Sequence, residues 1–158
     1  MIEITTIDII ARILLAVGLG SVLGLERTLA SKGAGMRTYA MVAIGSAAFV
    51  IASVLILSIF PNPEVANPTA MASAVITGIG FIGAGLVIFQ DHKITGITTA
   101  AGLWVSSAVG VAAGFGFLNL AVIVTIVALV IFPLRKLEGM LMKYSYRNDI
   151  DDNNHTTK

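Results

Sequence analysis

The chain has 158 residues, of which 56% are hydrophobic and 16 are glycine, and its mean hydropathy is +0.92. Only 12% of its residues are charged, about half the ~25% of an average soluble domain, which implies an integral membrane protein with room for one compact bundle and no sizeable soluble domain. A net charge of +1 provides no overall field for nucleic acid, and zero cysteines exclude disulfides, thiolate metal sites and a cysteine nucleophile.

Crossing the hydrocarbon core takes ~20 mostly apolar residues, and five stretches qualify. The sequence therefore predicts an all-α, polytopic membrane helix bundle with five transmembrane helices. The first span runs from about Ile9 to Leu25. Glu3 and Asp8 precede it and no small-residue site closes it, which argues against a cleaved signal peptide. Asp8 and Arg12 are spaced to pair on one face of its outer turn; alternatively, Arg12 snorkels to the headgroups. Glu26 and Arg27 close the span. Arg37 follows after a short loop that would bring it close to Glu26, as an ion pair or as ordinary headgroup anchoring.

The second span, about Tyr39 to Phe60, is followed by Pro61-Asn62-Pro63-Glu64. The third, about Ala70 to Phe89, contains Gly78-Ile-Gly-Phe-Ile-Gly-Ala-Gly85. No strand precedes this run and no acidic partner follows it, so a nucleotide fingerprint is rejected. Gly78, Gly80, Gly83 and Gly85 serve either dense helix packing, the favoured reading, or a locally broken helix whose carbonyls line a cavity. The fourth span, about Ile97 to Phe115, opens with Thr98 and Thr99, whose hydroxyls can cap the helix, bond another span or meet a ligand at the mouth. Trp104 lies within it, where its indole N–H calls for a protein partner. Gly114, Gly116 and Asn119 allow a tight turn into the fifth span, about Phe117 to Leu134.

In lipid, close backbone packing holds helices together. Small residues recur at four-residue spacing in span one (Ala16, Gly20, Gly24), span three (Ala70, Ala74, Gly78) and span four (Thr98, Gly102, Ser106, Gly110, Gly114). The expected core is therefore spans one, three and four, with the bulky fifth span peripheral. Nine of the ten basic residues, all but Arg12, fall in the loops after spans one and three or in the tail. The positive-inside rule then places the N-terminus outside and the C-terminus in the cytoplasm. Residues 1–136 form the transmembrane domain and 137–158 a short polar cytoplasmic tail. Spans two to five contain no Asp or Glu, and neither histidine lies in a span; no catalytic, cofactor or metal site is read.

Four segments, in order, resemble the MgtC/SapB family of prokaryotic membrane proteins: Gly24-Leu-Glu-Arg27, Ala34-Gly-Met-Arg-Thr38, Gly78 to Gly85, and Gly96-Ile-Thr-Thr-Ala-Ala-Gly-Leu-Trp104. The resemblance extends from about Asp8 to Leu134 and is to the short form, without the soluble C-terminal domain of longer members. It departs at Asn67-Pro-Thr-Ala70, where the family tends to Asp-Pro-x-Arg, and at Thr95, where the family has a basic residue. The resemblance implies a multi-pass protein of the prokaryotic inner membrane connected with magnesium homeostasis. Better-studied members look like regulators of other membrane machinery, including the ATP synthase. Expected partners are thus the lipid bilayer, other membrane proteins or a second copy of the chain. Regulation is the first reading of function and transport of magnesium or another small solute the alternative; an enzyme is not expected.

Overall fold

Caps and chain breakers set the helix ends in the computed structural model, which describes residues 4–60, 67–90 and 92–134. The polar tail at 137–158 lies outside them. Helix α1, Thr6–Leu29, starts at a capping box in which the Thr5 hydroxyl accepts from the Asp8 N–H at 3.2 Å and the Asp8 carboxylate accepts from the Thr5 N–H at 3.0 Å. Helix α2, Met36–Ile59, has glycine at its N-cap, and its first N–H is taken instead by the Thr28 hydroxyl of α1 at 3.0 Å. Asn67 caps α3, Pro68–Leu86, by accepting from the N–H groups of Thr69 and Ala70 at 3.0 and 3.2 Å, with Pro68 in the first turn.

After α3 the chain makes a small antiparallel hairpin. Strand β1, Ile88–Gln90, pairs with β2, Lys93–Thr95, in the register Ile88 with Thr95, Phe89 with Ile94 and Gln90 with Lys93. The expected third span is therefore too long at its end: Val87 leaves helical geometry and Ile88 and Phe89 belong to the ribbon. Helix α4, Ile97–Phe115, lies between Gly96 and Gly116, both at φ +87° in the left-handed region. A side chain at Gly96 would run into the Leu86 carbonyl, so only glycine fits where the hairpin feeds the helix. Helix α5, Leu118–Ile131, follows at once. Among the described residues, four helices are long and apolar enough to cross a membrane, whereas α5 has 14 residues, roughly 21 Å of helix.

The core differs from the expected one. Helix α2 lies between α1 and α4 and makes its most extensive contacts with both. Helix α3 packs mainly along α4, and Ile79 is its single buried residue. The reason is visible at the glycines. A Cβ on Gly20 of α1 would stand 2.8 Å from Ala43 Cβ and 3.0 Å from the Tyr39 carbonyl oxygen; on Gly24 it would stand 2.5 Å from Met36 Cα. From the other side, a Cβ on Gly110 of α4 would meet Ser46 Cβ at 2.8 Å and overlap the Ala43 carbonyl, and on Gly114 would meet Ala47 O and Val50 Cβ at 2.8 Å. The glycines of α1 and α4 thus share one partner, the Met36–Val50 stretch of α2. Among the described residues, a Cβ on Gly78, Gly80 or Gly85 of α3 would meet nothing within 4 Å, and one on Gly83 would meet Ala100 Cβ at 3.6 Å. Ala74 and Gly78 of the four-residue stripe on α3 line a groove against α2 and make no close backbone contact of the kind seen at Gly20 and Gly110 among the described residues.

Gly110→Ala is expected to lower stability by about 2 kcal/mol through overpacking against Ala43 and Ser46. Gly45→Ala, which points into open space, should raise it by up to about 1 kcal/mol through helix propensity. Unfolding of the purified variants in detergent micelles measures both, and equal responses would remove the close α2–α4 approach from the account.

Candidate functional site

Polar side chains gather in three layers along the bundle. At the end where α1 begins, Asp8 is used in the helix cap, and Arg12 reaches a different target. Its Nη1 donates to the Gly114 carbonyl at 2.8 Å, and a Cβ on Gly116 would come within 2.9 Å of the guanidinium. The expected Asp8–Arg12 pair is thus replaced by two separate interactions. The carboxylate serves the N-terminus of α1, and the guanidinium serves the C-terminus of α4, where a cation complements the exposed carbonyls and the helix dipole.

The middle layer is a set of hydroxyls between α2 and α4. The Tyr39 hydroxyl donates to the Thr99 carbonyl at 3.3 Å, and the Ser106 hydroxyl donates to the Tyr39 carbonyl at 2.8 Å. The hydroxyls of Ser46 and Ser107 bond each other at 2.9 Å, and Ser46 also donates to the Val42 carbonyl at 2.8 Å. Tyr39, Ser106 and Ser107 are almost wholly enclosed. Sequence reasoning took Ser106 as a spacer and passed over Tyr39, Ser46 and Ser107. The available signal was hydroxyl residues within apolar spans at positions that alternate with the glycine stripe. Gly102 belongs to this layer, because a side chain there would collide with the Tyr39 hydroxyl and come within 3.1 Å of Phe132. Beside the layer, an apolar groove of about 540 Å³ between α2 and α3 is floored by Ser46 and Ser107.

The third layer is at the opposite end. Arg27 is buried to 2% exposure; Glu26 engages its Nε and Nη2, and its guanidinium lies 3.8 Å from the centroid of the Phe132 ring of the α5 terminus. Glu26 is therefore taken by its chain neighbour, and the expected Glu26–Arg37 pair does not form. Arg37 and Thr38 are exposed at the start of α2 and make no hydrogen bond among the described residues. Arg27, Lys32 and the first turn of α4, including Thr98 and Thr99, line one cavity of about 620 Å³ closed on its far side by the hairpin. Thr99 is buried and Thr98 exposed. No side chain caps the first turn of α4, which begins at Gly96. Trp104, expected to need an internal partner, is half exposed outside the core. The described residues contain no group of three or more His, Cys, Asp or Glu placed to share a metal ion. The site chemistry is hydrogen bonding by hydroxyls and backbone, plus two arginines held by opposite ends of the bundle.

Breaking the Glu26–Arg27 pair should cost far more than altering Arg37. Glu26→Gln leaves a buried guanidinium without its anion and is expected to destabilise by about 3 kcal/mol. Arg37→Gln should change stability by less than about 0.5 kcal/mol, and the double variant should be additive. Coupling between positions 26 and 37 in that cycle would contradict the pairing described.

A family model described as the MgtC family matches residues 13–139. The Escherichia coli K12 protein named "Putative magnesium transporter YhiD" is 35% identical over 146 residues, covering 89% of this chain and 67% of that protein. A Haemophilus influenzae Rd protein is 40% identical over 133 residues, 82% of this chain and 56% of its own length. "Protein MgtC" of Brucella abortus 2308 is 39% identical over 108 residues, covering 68% of this chain and 43% of the Brucella protein. The chain thus spans about half the length of the latter two relatives. No solved structure gives a significant match.

Proposed function

The chain belongs to the MgtC family, and on that premise we propose that it is a multi-pass protein of the prokaryotic inner membrane, linked to magnesium homeostasis, that regulates other membrane proteins by helix contact. The link to magnesium rests on the name of the Escherichia coli relative. The observation that carries the regulatory reading is the face of α3. It is a regular helix on which a Cβ at Gly78 or Gly85 on one side, or at Gly80 on the other, would meet nothing within 4 Å among the described residues, and Phe81 between them is 86% exposed. Helices in lipid associate by close backbone approach at small residues, so this open, glycine-rich surface suits a helix of another protein or of a second copy. The positive-inside rule supports a cytoplasmic side for the end carrying Arg27, Lys32, Arg37 and Lys93 and an outer side for the start of α1.

The same relative's name favours transport as a second reading, with the apolar groove between α2 and α3 and its Ser46–Ser107 floor as the cleft nearest a path. The two readings separate in reconstituted liposomes. Regulation predicts no magnesium entry from the purified chain above that of empty liposomes; saturable entry that empty liposomes lack would establish transport. Within the regulatory reading, Gly80→Leu should leave the unfolding midpoint in detergent unchanged while abolishing support of growth in low magnesium. Gly18→Leu, at another open position of α1, should affect neither. Full activity of Gly80→Leu would remove the α3 face from the mechanism.

A further inference from the structure

We propose that the cavity between the α1–α2 turn, the hairpin and the start of α4 is a binding site for a phosphate group. It has a volume of about 620 Å³ and is lined by Arg27, Lys32, Thr95, Gly96, Thr98 and Thr99, among others. Three observations converge on it. Arg27 is more than nine-tenths buried, and Glu26 engages Nε and Nη2 but leaves Nη1 without a hydrogen-bond partner among the described residues. Lys32 brings a second cation to the same space from the turn after α1. The first turn of α4 opens onto it with no side-chain cap, and the N–H groups of Ile97, Thr98 and Thr99 find no acceptor among the described residues.

Side-chain oxygens take at least one N–H at the starts of α1, α2 and α3, from Thr5, Thr28 and Asn67, whereas α4 and α5 have no side-chain cap. At α4 the positive end of the helix dipole and two cationic side chains line one partly open cavity. Cations are unfavourable at a helix N-terminus and anions favourable; Glu26 pairs with Arg27, and an anion in the cavity complements Lys32 and the α4 amides. A tetrahedral oxyanion meets all three donors at once: the guanidinium edge, the ammonium and the fan of backbone N–H groups. The chemistry fits the phosphodiester of an anionic lipid headgroup entering from the bilayer surface or a soluble phosphate entering from water. The site stands whether the chain regulates or transports.

The test uses the full chain in nanodiscs of phosphatidylcholine alone or with a phosphatidylglycerol fraction, with inorganic phosphate titrated against chloride at constant ionic strength. Binding at tenfold the dissociation constant should raise the unfolding midpoint by about 3 °C. A rise with inorganic phosphate identifies a soluble ligand, and a rise confined to the phosphatidylglycerol discs identifies a headgroup. Either rise must be lost in Lys32→Gln and in Thr98→Glu, which sets a carboxylate at the helix start and fills the site from within; neither change touches the buried Arg27. No rise under either condition, or a rise that persists in both variants, overturns the proposal.

Discussion

The structure depends on how closely three backbones approach around Ala43. Its Cβ lies against Gly20 of α1 and its carbonyl against Gly110 of α4, so α2 is held on two sides at distances that exclude any side chain. In lipid this contact replaces the hydrophobic effect, because an apolar side chain gains little by leaving one hydrocarbon environment for another. The buried hydroxyls follow from it. Ser106 reaches the Tyr39 carbonyl at 2.8 Å and Ser46 reaches Ser107 at 2.9 Å because the axes are already close. Those bonds satisfy groups that would be costly in hydrocarbon, and they select one rotation of α4 about its axis.

Around this centre, α1 uses an arginine near each end in opposite senses. Arg12 meets the carbonyl end of α4 and needs nothing more, since its charge complements that terminus. Arg27 lies at the amide end of the same helix, where its charge opposes the dipole. Glu26 and the Phe132 ring account for part of its environment and leave the rest to the cavity. One helix thus makes α4 electrostatically complete at one end and anion-seeking at the other.

What the sequence disclosed tracks what is local. The fourth span was read as Ile97 to Phe115 and is that helix to the residue, because Gly96 and Gly116 punctuate it. Asn67-Pro68 and Thr5 are capping signals of the same local kind. The hairpin was missed because Val87, Ile88, Phe89 and Ile94 are apolar enough to pass for the end of a span or a plain loop. Pairings between elements were harder. Glu26 and Arg37 were matched by loop length, yet an arginine next in the chain was closer to hand; Asp8 was already committed to Thr5. The core was misassigned for a related reason. Spacing of small residues identifies a face on one helix, while the partner is fixed in three dimensions, and α2 contributes alanine and serine where glycine was being sought.

The small residues of α4 repeat every four positions, and a pattern of that kind fits its partner nearly as well after sliding one turn, about 5.4 Å. Tyr39 abolishes that ambiguity. Its wholly buried ring brings the hydroxyl against Gly102, and sliding in either direction would bring Thr98 or Ser106, each with a Cβ, to the same place. The tyrosine acts as an index pin that reads one axial position out of several sterically similar ones. Helix α4 is therefore not built to work as a piston against α2.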